Sequence, residues 1–168
     1  MSIKEKLCHY RIDPKSVRFV DGDTFEADVD LGDNTIRTKR KIKISLVDAP
    51  AVRGAPKLEK QAAAAVMSFM YQMFDWCVSE VVIELHSIDS LGYWNSTVTV
   101  INPAGKEVVL GTKLISMGLC RVYYGRGGKK KKVWTEKALK SIIKKVDFSS
   151  YASDKVAAWK ALRDEFWK

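Results

Sequence analysis

The 168-residue sequence has only two histidines and three cysteines. Cys8, Cys77 and Cys120 are far apart and have no histidine or cysteine neighbour at the spacing of a metal site. We therefore expect reduced thiols with a structural role. His9 and His86 are equally isolated along the chain, so neither is expected to act as a catalyst.

Long apolar runs are also missing. No segment approaches the length of a membrane span, and the first ten residues mix charged with apolar side chains, unlike a secretory signal. We expect no membrane partner and a cytoplasmic protein, encoded by a phage or by its host and acting inside the cell. The length allows one substantial core, so residues 1–168 predict a single domain.

Acidic residues number 20 against 29 lysines and arginines, which gives a formal net charge of +9. This surplus favours an anionic partner, because Lys and Arg displace counterions from phosphates. Charge alone does not distinguish nucleic acid from an anionic membrane surface. The positive charge is concentrated in two clusters, which are candidates for contact with DNA or RNA. One lies along a single predicted strand and contains Arg37, Lys39, Arg40, Lys41 and Lys43; the other lies around and beyond Tyr124 and contains Arg121, Arg126, Lys129, Lys130, Lys131 and Lys132.

Hydrophobic periodicity predicts an α+β domain with a small barrel, in which strands, a helix, more strands and further helices follow in order. Residues 17–29 predict two strand segments bent at Asp21-Gly22-Asp23. Residues 35–47 predict a strand with Ile42, Ile44 and Leu46 on its apolar side. Two more strands are predicted at 81–85 and 95–101, and helices at 58–77, 110–117, 135–145 and 153–167.

The predicted elements divide the chain into three parts. A barrel core is expected at about residues 14–124, a basic loop at 125–132 and C-terminal helices at 133–168. The loop is an ordinary solvated segment in one interpretation and a nucleic-acid contact in the other.

Two motifs resemble the signature pair of the staphylococcal nuclease (thermonuclease) family. The first is Val20-Asp21-Gly22-Asp23-Thr24-Phe25, and the second is Leu46-Val47-Asp48-Ala49-Pro50. Further matches follow in the family's order at Asp89–Gly92, Asn102–Lys106 and Leu114–Tyr124, so the resemblance covers about Val17–Tyr124. It implies a five-stranded OB-fold β-barrel with a flanking helix and C-terminal helices.

The resemblance also implies calcium-dependent cleavage of DNA and RNA phosphodiester bonds with little sequence preference. Asp23 and Asp48 match the family's calcium ligands, the carbonyl oxygen of Ala49 matches another, and Asp21 matches a supporting carboxylate. These residue types suit Ca²⁺, which prefers hard oxygen ligands. In the alternative interpretation, Asp21 and Asp23 only shape a turn and Asp48 caps a strand end.

Three positions depart from the pattern of active members. Lys43 and Tyr93 stand where the family has arginines that stabilise charge on the phosphate, and Ala51 stands where a glutamate assists the attacking water. Such losses cost roughly 10²- to 10³-fold per charge-stabilising donor and roughly 10²- to 10⁴-fold for a general base. Arg40, Lys41, Arg53 and Arg126 are candidates to compensate for the arginines, and Glu59 is the nearest spare carboxylate.

Three functions therefore remain open from the sequence. The chain is a calcium-dependent nuclease of weak activity, or a module that binds nucleic acid through its basic residues without cleaving it. Tyr124 is the candidate for stacking on a base in either case, and Lys41 for contact with the backbone. The third possibility is a protein adaptor whose partner contacts the aromatic residues of the C-terminal helices.

Overall fold

A computed structural model describes residues 8–123, 133–146 and 153–168. Within them the chain forms nine strands and four α-helices. Five strands build a barrel: β1 (Cys8–Ile12), β3 (Thr24–Asp30), β4 (Ile36–Ile44), β6 (Glu80–Ile88) and β7 (Trp94–Ile101). The remaining strands are β2 (Arg18–Asp21), β5 (Val47–Asp48), β8 (Glu107–Val109) and β9 (Arg121–Val122).

The barrel closes in the order β1-β6-β7-β4-β3, with β3 pairing back to β1. All of these pairings are antiparallel except that of β4 with β7. The predicted α+β class is confirmed, and the closed five-stranded barrel is OB-like. Its interior is filled by alternate side chains of each strand, among them Phe25, Ile42, Ile83 and Val98, which are fully buried.

The helices cover the barrel as the sequence predicts. They are α1 (Lys57–Cys77), α2 (Leu110–Ser116), α3 (Glu136–Val146) and α4 (Ser153–Phe166). The apolar face of α1 is buried through Ala62, Val66, Phe69, Met70 and Met73, and α3 packs against α1. In α4, Leu162 and Phe166 are buried, whereas Val156 is 49% exposed.

The predicted strand at residues 35–47 is wrong at its C-terminal end. β4 stops at Ile44, and Leu46 has a left-handed backbone with φ of 61° and a side chain that is 66% exposed. The chain turns sharply at Ser45 and Leu46 and then forms the short strand β5, which pairs with β9. Leu46 is therefore a turn residue and not part of the core.

A close approach at Gly22 joins the first motif to the second. A Cβ atom added to Gly22 would meet the Cβ of Ala49 at 2.8 Å and a methyl of Val66 at 3.1 Å. Real Cβ atoms do not come so close to backbone-anchored neighbours. Only glycine allows the β2–β3 turn to lie against the segment that follows β5, so this residue helps to place Asp21 and Asp23 beside Asp48.

The three cysteines form no disulfide in the described residues; Cys8 is exposed, Cys77 is half-buried and Cys120 is buried. None of the helices in the described ranges is long and apolar enough to cross a bilayer.

Candidate functional site

The carboxylates of the two motifs meet around residues 48–52, between β5 and α1. Three backbone N–H groups of this segment each donate to a different carboxylate. Ala49 donates to Asp23 Oδ2 at 3.5 Å, Ala51 to Glu59 Oε1 at 3.0 Å, and Val52 to Asp21 Oδ1 at 2.9 Å. Asp48 belongs to the same segment. The structure thus brings the three predicted aspartates to one place and adds Glu59 to them.

Glu59 lies beside Ala51. It is in the first turn of α1, and its side chain reaches back to accept a hydrogen bond from the backbone N–H of Ala51. A carboxylate is therefore present beside residue 51, although it is supplied by a different element.

Asp48 is buried and bound to an arginine. Its side chain is 3% exposed, and its Oδ2 accepts a hydrogen bond from Arg121 Nε at 2.6 Å. The pairing of β5 with β9 places the two residues directly opposite each other. Arg121 also donates to the carbonyl oxygen of Val133 and stacks on the ring of Trp134, 4.2 Å from its centroid. The guanidinium is fixed by contacts on three sides.

Asp23 has a different environment. It is 8% exposed, and its Oδ1 accepts a hydrogen bond from the Thr24 hydroxyl at 3.0 Å. Among the described residues no lysine, arginine or histidine forms an ion pair with it. Burial raises the pKa of the Cys120 thiol, and the negative charges of Asp23 and Asp48 raise it further. The thiol therefore lies near both carboxylates and stays neutral there.

Two lysine–tyrosine pairs lie on the outer face of β4. Lys41 Nζ is 5.4 Å from the ring centroid of Tyr93, and Lys43 Nζ is 5.9 Å from that of Tyr123. Lys43 is opposite Thr24 in the β3–β4 register, one residue from Asp23. The face therefore combines ammonium groups with aromatic rings next to the carboxylates, an arrangement suited to phosphates and bases.

The arginines proposed to compensate are not on this face. Arg40 is two and four residues before the buried Ile42 and Ile44 and shares their face, so it is on the opposite side of β4 from Lys41 and Lys43. Arg53 is exposed in the loop after Val52, one residue beyond the N–H that donates to Asp21. Tyr124, Arg126, Lys129, Lys130, Lys131 and Lys132 lie outside the described residues.

A hard cation would find oxygen donors at this place. Asp23, Asp48 and the carbonyl of Ala49 are the predicted ligands, and in the described part of the chain no cationic side chain pairs with Asp23. However, Arg121 already neutralises Asp48, and within the described residues no group of three or more His, Cys, Asp or Glu side chains stands at metal-binding spacing. Two carboxylates with a carbonyl and water suit Ca²⁺ or Mg²⁺ only if Arg121 shares or releases Asp48.

From the sequence, Arg121 is placed in the second basic cluster, but its pairing with Asp48 is not predicted, because nothing in the sequence shows that β9 pairs with β5. Tyr123 is not assigned a position beside Lys43. Trp134 packs against the core and also holds the Arg121 guanidinium.

No family model matches the chain, and a search of curated proteins found no match either. The proposed function therefore rests on the two motifs and on the geometry of the site.

Proposed function

We propose that the protein is a divalent-metal-dependent nuclease that cleaves phosphodiester bonds of DNA or RNA at the carboxylate cluster, as the resemblance to the staphylococcal nuclease family implies. The observation that carries this proposal is the gathering of Asp21, Asp23, Asp48 and Glu59 around residues 48–52.

Charge balance supports a bound cation. Asp23 and Asp48 are buried, and among the described residues no lysine, arginine or histidine forms an ion pair with Asp23. Buried carboxylates are costly unless they are paired or coordinate a metal. Ca²⁺ held by Asp23 and Asp48 would supply positive charge beside Asp23 and would polarise the phosphate while orienting the attacking water.

The substrate's phosphates are bound by Lys43 and Lys41 in this proposal. Lys43 carries a point charge and not a planar fork, so it attracts phosphate without the bidentate geometry of arginine. The rings of Tyr93 and Tyr123 beside the two ammonium groups offer surfaces for bases. Such contacts do not distinguish one base from another, which agrees with cleavage of low sequence preference.

Glu59 takes over the role of the absent glutamate and assists the water. Its carboxylate is anchored by the N–H of Ala51 at 3.0 Å, and this bond holds one oxygen while the other remains available for a proton. Because the side chain comes from α1, its position differs from that of a residue at 51, and we expect a slow enzyme.

The test is a cleavage assay with labelled single-stranded and double-stranded DNA and RNA in the presence of Ca²⁺. Asp23→Asn should reduce the rate by at least about 10²-fold, because it removes the carboxylate charge but keeps an acceptor for the Thr24 hydroxyl. The control is Asp75→Asn, an exposed carboxylate 16 residues beyond Glu59 on α1, about 24 Å along the helix. Equal rates in the two variants would contradict the proposal.

A second function, nucleic-acid binding without cleavage, is favoured by one observation. Arg121 occupies the Asp48 carboxylate at 2.6 Å, so the charge that a metal would supply is partly supplied by the chain itself. In that case affinity survives chelation and depends on Lys41 and Lys43. Replacing either lysine by alanine should reduce the slope of log K against log salt by about 1, while Lys15→Ala, away from β4, leaves it unchanged.

A further inference from the structure

An open cleft lies beside Lys43, between the helix α2 and the outer face of β4, β6 and β7. Its volume is about 850 Å³, which is within the range of ligand-binding clefts in proteins. Lys43 and Tyr123, which belong to the proposed substrate site, both line it. From these two residues the cleft extends across the barrel towards β6. It is therefore continuous with the place where a phosphate is proposed to bind.

The floor of the cleft is a row of polar side chains on three neighbouring strands. Asn95 of β7 pairs with Lys43 of β4 in the parallel register and with Ser87 of β6 in the antiparallel register. Paired strands lie about 4.8 Å apart, so the Asn95 amide is the polar group next to the Lys43 side chain. Its Nδ2 donates to the Ser87 hydroxyl at 3.4 Å, and in the described residues its Oδ1 accepts no hydrogen bond. The floor thus offers an amide to a ligand.

The wall of the cleft is apolar. It consists of Leu46 in the turn after β4, Val109 at the end of β8, and Val122 and Tyr123 at β9. These side chains are between 41 and 66% exposed. The Tyr123 N–H donates to the carbonyl oxygen of Leu46 at 2.9 Å, so the turn and β9 form one surface. Exposed apolar side chains that gather in one place mark a binding surface.

We propose that this cleft binds one nucleobase of the nucleic acid whose phosphate Lys43 holds, and that Asn95 contacts the edge of the base. A nucleotide has apolar ring faces, a polar edge and an anionic phosphate. The wall, the Asn95 amide and the Lys43 ammonium group match these three features in turn. An apolar peptide side chain of similar size lacks the phosphate, so the position of Lys43 favours a nucleotide. The inference rests on the proposed partner, nucleic acid, and concerns the same site.

The consequence is selection of the base at one position of the strand. Lys41 and Lys43 hold the backbone by charge alone, which does not depend on the base. The Asn95 amide carries a donor and an acceptor side by side, and the four bases present such groups in different positions. Affinity should therefore depend on which base occupies the cleft, while the neighbouring positions are bound without discrimination.

The experiment measures the binding of single strands of about ten nucleotides by fluorescence anisotropy. One strand carries a single base among abasic sites, and its reference is abasic throughout, so the two strands have the same phosphates. Phosphorothioate linkages slow hydrolysis, which allows the measurement with Ca²⁺ present. We expect the wild type to bind the strand with a base about 5- to 150-fold more tightly. The best and the worst of the four bases should differ at least about fivefold.

Leu46→Asn tests the wall. Asparagine tolerates the left-handed backbone of residue 46, so the fold is retained. The advantage of the strand with a base should fall at least about threefold, whereas the slope of log K against log salt, which reports phosphate contacts, stays unchanged. Ile36→Asn is the matched control and should leave both unchanged. Ile36 is 62% exposed, similar to Leu46, but it lies seven residues before Lys43 on β4, about 23 Å away.

Asn95→Leu tests the floor, because it keeps an apolar side chain there and removes the amide. This variant should still prefer a base to an abasic site but should bind the four bases with equal affinity. Retained discrimination in Asn95→Leu, or an unchanged advantage of the base in Leu46→Asn, would overturn the inference.

The wild type separates this inference from the proposed function. Equal affinity for the two strands would show that the lysines bind the backbone while the cleft takes no base, the result given by a cleft that accepts a peptide side chain. In that case nucleic acid remains the partner and the inference fails. If the wild type binds neither strand, the proposed partner and the inference fail together.

Discussion

The Arg121–Asp48 pair allows the sharpest test of the energetics of the site. Arg121→Met removes the guanidinium from a carboxylate that is 3% exposed and bound at 2.6 Å. Loss of one partner of a buried pair costs about 3 to 5 kcal/mol, because the other charge is left without compensation. Arg121 itself is 25% exposed, so water can reach part of the vacated space. We therefore expect a loss of about 3 kcal/mol, at the lower end of that range.

The assay is urea unfolding, with the loss seen as a lower midpoint at an unchanged slope. Arg163→Met is the matched control. Arg163 donates to Asp164 at 2.7 Å and lies over the ring of Trp159, but its pair is exposed by 36% and 59%. That variant should lose only about 0 to 1 kcal/mol. Equal losses in the two variants would refute the argument that Asp48 depends on Arg121 for its charge balance.

Calcium should then rescue Arg121→Met. Without the guanidinium, Asp23 and Asp48 are two buried carboxylates that lie near the same thiol. A Ca²⁺ concentration about 100 times the dissociation constant restores about 2.7 kcal/mol if the ion binds only the folded state. The wild type should gain less, because Arg121 competes for Asp48. If Ca²⁺ stabilises Arg121→Met no more than it stabilises Arg163→Met, the two aspartates do not form a cation site.

Three further predictions follow from individual contacts. Gly22→Ala should destabilise the fold by about 1 to 3 kcal/mol in urea unfolding, because the new Cβ overlaps Ala49. Combining Gly22→Ala with Ala49→Gly should recover part of the loss, and a double variant no more stable than Gly22→Ala would contradict the proposed overlap. Glu59→Gln should slow cleavage by roughly 10²- to 10⁴-fold, because the amide cannot take a proton from water. The control Glu80→Gln, at the exposed start of β6, should leave the rate unchanged. An unchanged rate in Glu59→Gln would exclude a role for Glu59 in assisting the water. Burial and the neighbouring Asp23 and Asp48 raise the pKa of Cys120 in the folded protein. The neutral thiol therefore contributes fully to stability below the unfolded thiol pKa of about 8.5. Above that pH the free energy of unfolding falls by up to about 1.4 kcal/mol per pH unit. Cys120→Ala should flatten this alkaline decline, and an identical pH profile in the variant would contradict the assignment.

Local signals in the sequence predict much of the fold. The bend at Asp21-Gly22-Asp23 and the helix at 58–77 depend on glycine, alanine and short-range periodicity, and both form where expected. The end of β4 was not predicted, because Leu46 continues the alternation of Ile42 and Ile44 while its backbone turns away. The strand β1 was not predicted either. Its role comes from pairing with β6, more than 60 residues distant in sequence.

The candidate site, like the fold, is only partly predictable from the sequence. The motifs correctly indicated that Asp21, Asp23 and Asp48 come together: Asp21 ends β2, Asp23 immediately precedes β3, and Asp48 ends β5. The partner of Asp48 was not predictable, since it depends on the two-residue pairing of β5 with β9. The same holds for Glu59, whose distance from Ala51 is set by the position of α1 on the barrel.

A cation at Asp23 and Asp48 is proposed to support cleavage of nucleic acid. The decisive measurement is the cleavage rate of the wild-type protein as a function of Ca²⁺ concentration, from a chelated solution to saturation. We expect a rate that is negligible under chelation and rises to a plateau with added Ca²⁺, and that stays negligible throughout in Asp23→Asn. A rate that is the same with and without Ca²⁺, or that rises equally in Asp23→Asn, would contradict it.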